Sequence, residues 1–158
     1  MTDIFDSSKR SSIMSRIRSK NTNPEKIVRM LLRAEGLTGY RLNRKDLPGT
    51  PDIVFGKRKI AIFVHGCFWH GHNCPKAKLP DTNREKWREK ISRNRSRDTA
   101  AVEALRENGW RVAIVWQCAI SAKHRNALQK ALKNFAESSA PFVELERKTF
   151  DGQEVEKH

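Results

Sequence analysis

The chain has 158 residues, enough for one ordinary domain that buries roughly 70% of the surface its unfolded form exposes. Its 32 Lys and Arg against 18 Asp and Glu leave a formal charge of +14, so a polyanion such as nucleic acid is the expected partner. No apolar run approaches the roughly 18 to 20 residues of a membrane span, and "MTDIFDSSKRSS" lacks the apolar stretch of a secretory signal, which points to a cytosolic protein.

Near the start, Ile13, Met14 and Ile17 lie at helical spacing among Lys9, Arg10, Arg16, Arg18 and Lys20. This reads as a basic arm or short helix within residues 1–20, with a solvated face as the plain alternative. In "NTNPEKIVRMLLRAEG", Thr22 and Glu25 form a capping box, Pro24 lies in the first turn and Gly36 ends a helix. "GYRLN" predicts a strand, and the polar "RKDLPGT" a loop leading into the strand "PDIVF". "GKRK" then turns the chain into "IAIFV", whose unbroken apolar run suits a strand buried on both faces.

A long helix is expected from about Asn83 to Asn108, capped by Thr82 or Asp81 and closed by Gly109. "WRVAIVW" reads as another buried strand, and a last amphipathic helix from about Ser121 places Leu128, Leu132 and Phe135 on one face. Residues 139–158 show no pattern and read as a charged tail. Strands interleaved with helices predict a single α/β domain over residues 1–158, its mixed sheet holding a hairpin from Pro51 to Val64.

The long helix carries polar groups where a core stripe belongs. From Trp87, steps of four and three reach Ile91, Asn94, Asp98, Val102 and Leu105. An inward carboxylate such as Asp98 needs a partner, because burying it unpaired costs several kcal/mol, so it is either a site residue or half of a structural ion pair. The adjoining face carries Lys86, Lys90, Arg93 and Arg97, and this basic stripe suits phosphate contacts.

Between strand and helix lies "HGCFWHGHNC", with three histidines and two cysteines in ten residues. Cys67, Cys74 and Cys118 plus one histidine complete a tetrahedral Cys3His zinc site, and spacing leaves His70 and His72 as equal candidates for the fourth ligand. Three buried thiols in an ordinary core are the alternative. A loop this small has no core in which to hide Phe68 and Trp69, so they cap the sheet edge or project toward a ligand. With Trp87 and Met14 they make a candidate wedge for a base stack, although core packing is the commoner fate of Trp87 and Met14.

"PD" at Pro51 and Asp52, opening the first strand of a hairpin, resembles the first half of the PD-(D/E)xK nuclease pattern, but the second acid and lysine are replaced by Phe63, Val64 and His65. Packed as read, the hairpin, loop and long helix bring Asp52, His65, His70 and Asp98 together. That set supplies a divalent-metal ligand and a histidine base with its orienting carboxylate.

Together "PGTPDIVF", "IFVHGCFWHGHNC", "NREKWREKISRNRSRD" and "LRENGWRVAIVWQCA" resemble the Vsr, or very short patch repair, mismatch endonucleases over roughly residues 9 to 136. The resemblance implies a monomeric bacterial enzyme of restriction-endonuclease-like fold that nicks duplex DNA 5′ to the thymine of a T:G mismatch, leaving a 5′-phosphate and a 3′-hydroxyl. Working alongside repair-protein partners is part of that picture. It also implies Asp52 as magnesium ligand, with Val64 contributing its backbone carbonyl, His70 as catalytic histidine paired with Asp98, and Glu25 as support for His65. Cys67, His72, Cys74 and Cys118 correspond to structural zinc ligands, and Met14, Phe68, Trp69 and Trp87 to an intercalating wedge, with Lys90 and Asn94 at the mismatch. One departure stands out: the family's motif has Thr where this chain has Val64. A zinc-stabilised DNA-binding module without catalysis, or an RNA-binding protein, would keep the charge, aromatics and zinc without needing the carboxylate and histidine set.

Overall fold

The computed structural model describes residues 23–155. The predicted basic arm, including Met14, and the capping Thr22 lie outside them. In chain order the elements are α1 (Asn23–Ala34), β1 (Arg41–Leu42), β2 (Ile53–Phe55), β3 (Ile60–His65), α2 (Arg84–Glu107), β4 (Arg111–Trp116), α3 (Arg125–Glu137), β5 (Phe142–Leu145) and α4 (Arg147–Val155). The five strands form one mixed sheet in the order β1-β2-β3-β4-β5.

The first three strands pair antiparallel, β2 and β3 through a short polar turn and β1 and β2 through a longer loop. β3 and β4 run parallel, and the chain returns between them through α2; β4 and β5 are also parallel and are joined through α3. Alternation along β3 explains its continuous apolar run. Ile60 and Ile62 join α1's Val28, Leu31 and Leu32 and α3's Leu128, Leu132 and Phe135 in one core layer. Ala61 and Phe63 face the opposite layer, with Ala101 and Leu105 of α2. Gly36, at φ 76°, ends α1 as expected: its N–H reaches Arg33 O and the Leu37 N–H reaches Leu32 O, each at 2.9 Å, a left-handed helix stop.

Two expectations need correction. The cap of α2 is neither Thr82 nor Asp81 but Asn83, which takes the left-handed conformation at φ 58° and makes no side-chain cap hydrogen bond. The stretch from residue 139 is not a solvated tail over its described length: β5 pairs with β4, and Leu145 and Phe150 are each only 2% exposed. Alternating charges at Glu144, Glu146, Arg147 and Lys148 hide those apolar anchors in the linear pattern.

The sheet positions the site. His65 and Trp116 pair at the carboxyl ends of β3 and β4, and the loop leaving β3 folds back over α2. Gly71 makes this approach feasible: at φ +64° a Cβ there would stand 2.5 Å from Ile91 Cγ2, so only glycine lets the loop lie directly on the helix.

Candidate active site and metal centre

Asp52 begins where fully buried Pro51 delivers the chain into β2. Its Oδ2 accepts the Val64 N–H from the neighbouring strand at 2.7 Å, so the hairpin itself aims the carboxylate. Burial pushes the Asp52 carboxyl up to about 8; the Val64 N–H works against this, and the Glu25 carboxyl hydrogen-bonded beside it adds to the rise. Glu25 is 5% exposed in the first turn of α1. Two acids side by side and out of water present hard oxygen donors that suit magnesium.

Across the site, His70 Nδ1 lies 2.5 Å from Asp98 Oδ2. The inward position predicted for Asp98 on α2 thus finds its partner in the loop. His65 is 4% exposed and lies face to face with His70, ring centroids 3.9 Å apart and planes within 2°. Its Nε2 is 4.0 Å from Asp98 Oδ1, and its Nδ1 has no hydrogen-bond partner among the described residues. Burial, reinforced by the neighbouring His70, pushes His65 down to about 3 despite the opposing pull of Asp98. His65 is therefore neutral near pH 7. Donor atoms of His65, His70 and Asp98 lie within 4.8 Å of one another, with His70 Nδ1 and Asp98 Oδ2 already in contact.

The second cluster joins Cys67, His72, Cys74 and Cys118, whose donor atoms also lie within 4.8 Å of one another. The structure brings His72 to the sulfurs and His70 to Asp98, separating the two histidines that spacing leaves equivalent. Cys67 and Cys118 are buried, and His72 Nδ1 is 3.7 Å from Cys118 Sγ. Burial, with the two other thiols adding to it, pushes Cys67 up to about 12. Three thiols cannot all ionise here without a cation, and three sulfurs with one imidazole nitrogen are a donor set that fits zinc.

Phe68, Trp69 and Trp87 form a half-buried, edge-on trio with centroids 5.1 to 5.7 Å apart. Lys90 Nζ sits over Trp69 at 5.3 Å and Trp87 at 5.8 Å, while Asn94 Nδ2 donates to Trp69 O at 2.9 Å. One face of α2 therefore runs from the aromatic trio through Asn94 to Asp98, and the exposed Lys86, Lys90, Arg93 and Arg97 flank it.

Sequence reasoning missed Trp116, Glu144, Glu146 and Arg147. The Trp116 ring stacks on His72 at 4.3 Å and meets His65 edge-on at 5.2 Å, so it stands between the two clusters. Its position two residues before Cys118 was the available signal. The acids had none, because their placement depends on β5 pairing with β4.

Among the described residues no helix is long and apolar enough to cross a membrane. A family model described as DNA mismatch endonuclease Vsr matches residues 2–76. The type II nicking enzyme V.XorIIP of Xanthomonas oryzae pv. oryzae is 50% identical over 139 residues, covering 88% of this chain and 100% of that protein. V.NmeAIP, a type II nicking enzyme of Neisseria meningitidis, is 44% identical over 139 residues, 85% of this chain and 99% of its own. The DNA mismatch endonuclease Vsr of Escherichia coli is 42% identical over 125 residues, 79% and 80% of the two chains. Likeness of this extent, across a chain whose site joins a paired histidine and carboxylate to a Cys3His cluster, shows that it belongs to the Vsr family of DNA mismatch endonucleases.

Proposed function

We propose that this chain is a monomeric, single-domain bacterial nicking endonuclease that cuts duplex DNA 5′ to the thymine of a T:G mismatch, initiating very short patch repair with repair-protein partners in the cytoplasm. The restriction-endonuclease-like arrangement is read from the mixed sheet, with Asp52 opening one strand of its hairpin. The observation that carries the catalytic reading is the 2.5 Å His70–Asp98 contact.

Asp52 and the Val64 carbonyl would hold magnesium, which when bound polarises the scissile phosphate and steadies its developing charge. His70 takes the proton of the attacking water. Asp98 holds hydrogen on His70 Nδ1, leaving Nε2 as base, and stabilises the imidazolium that follows. Neutral His65 backs the ring by stacking on it. Glu25, hydrogen-bonded beside Asp52, would steady that carboxyl and support His65. Cys67, His72, Cys74 and Cys118 would hold structural zinc, fixing the loop so that Phe68 and Trp69, with Trp87 and Met14, enter the base stack while Lys90 and Asn94 meet the mismatch.

The test is magnesium-dependent nicking of end-labelled duplexes that differ in one base pair, T:G against T:A and C:G, in several flanking contexts. Strand-specific cutting 5′ to the mismatched T is expected. Mismatch binding without cutting in any context would leave the non-catalytic binding module instead.

A further inference from the structure

The junction of β5 and α4, residues Glu144 to Arg147, lies against the Cys3His cluster through three contacts. Glu146 Oε2 is 3.5 Å from His72 Nε2, on the side of the ring opposite the sulfurs. The backbone N–H of Arg147, the first residue of α4, donates to Cys118 Sγ at 3.4 Å. The Trp116 indole N–H donates to Glu144 Oε1 at 2.6 Å, and that indole stacks on His72 with planes 22° apart. His72 is thereby held at its edge by one carboxylate and on its face by a ring that another carboxylate anchors.

A metal-binding imidazole must offer one bare nitrogen and carry its hydrogen on the other. A carboxylate at the far nitrogen enforces that tautomer, stops the ring from turning and strengthens its donor atom. Here Nδ1 faces Cys118 Sγ at 3.7 Å and Nε2 faces Glu146, which is the division of labour such a ligand requires.

We infer that Glu146 is a positioning residue of the metal centre, locking His72 to bind through Nδ1, and that the β5–α4 junction completes that centre from outside through Arg147 N–H and the Glu144–Trp116 pair. This rests on the zinc reading above. Because Trp116 also meets His65 and His70 edge-on, at 5.2 and 6.3 Å, the junction fixes the wall between the metal centre and the histidine stack.

The test uses the full chain as wild type, Glu146→Ala, Glu146→Gln and Glu144→Gln. Zinc affinity is measured by competition with a chromophoric chelator, cobalt-substituted spectra report ligand geometry, and melting is followed with and without zinc. Glu146→Ala is expected to weaken zinc binding by about 10- to 100-fold. It should also shift the cobalt d–d bands while keeping the thiolate charge-transfer bands, and shrink the melting gain from zinc with little change in the metal-free melt. Glu146→Gln, which keeps an acceptor but loses the charge, should fall between, and it carries the same test if the alanine variant does not fold. Unchanged affinity and unchanged cobalt spectra would overturn the inference, as would an equal loss of melting temperature with and without zinc. Wild type that takes up no zinc would overturn the metal reading itself, a distinct result.

Discussion

Within the stacked histidine pair, His65 and His70 have the same side chain and different chemistry. Burial keeps His65 neutral, while Asp98 at 2.5 Å gives His70 a carboxylate to balance a proton. His70→Ala and Asp98→Asn are each expected to slow nicking by about 10²- to 10⁴-fold with mismatch binding retained, measured by single-turnover cleavage beside a gel-shift titration. Normal cleavage by either variant would remove the pair from the mechanism. Asp52 yields a pH prediction. Its folded carboxyl, near 8 against an ordinary 3.8, keeps a proton over a range where the unfolded chain has lost it. Stability on this account therefore falls as pH rises through that window. In magnesium-free buffer Asp52→Asn should melt at nearly the wild-type temperature at pH 4 and above it at pH 8, while losing nicking. A gap that is larger at pH 4 would contradict the buried-acid account. Asp98's inward position was legible from helical spacing, whereas the His70–His65 stack was not, since nothing local dictates that two rings five residues apart lie face to face.

At the scale of elements, α2 shows how a helix can serve a site rather than a core. Only Ile91, Ala101 and Leu105 of its 24 residues are buried, and its other inward positions hold Trp87, Asn94, Asp98 and Val102, of which only Val102 packs on the core. The helix is kept in place at its N-terminal half by the loop lying on it, so the close approach at Gly71 matters. Gly71→Ala places a methyl where Ile91 Cγ2 and Arg95 Cδ already stand, 2.5 and 2.8 Å away, in a left-handed backbone conformation. A loss of roughly 1 to 3 kcal/mol in unfolding free energy is expected, read by urea titration, together with weaker chelator resistance of the metal site. Wild-type stability and metal retention would show the loop to be more compliant than its packing indicates. Helix and strand positions followed from periodicity because burial on one or both faces imposes it. The cap of α2 did not, because Asp81 and Thr82 are the residue types that ordinarily mark a helix start, whereas the chain enters through a left-handed Asn83 without a side-chain cap.

For the whole molecule, a charge of +14 and the exposed row of Lys86, Arg93 and Arg97 predict binding to duplex DNA that weakens steeply with salt. Replacing Lys86 and Arg93 with Gln should flatten the slope of log K against log salt by roughly 2, since each phosphate that the protein neutralises contributes about 0.9. Preference for the mismatch should remain, measured by fluorescence anisotropy across a salt series. An unchanged slope would place the phosphate backbone on another face.

The alternation of strands and helices, the inward carboxylate and basic stripe of α2 and the gathering of ligand types in one loop are all legible in the linear chain. Those features are written in local spacing and in motifs that resemble one family. Spacing leaves His70 and His72 equivalent and the resemblance separates them, and long-range packing does bring His72 to the sulfurs and His70 to Asp98; it also lays Glu25 against Asp52 and turns the charged stretch after residue 139 into a strand and a helix. Each of these depends on residues far apart in the chain being brought to the carboxyl edge of one sheet. Such proximity is a property of strand order and crossover, to which local periodicity is blind.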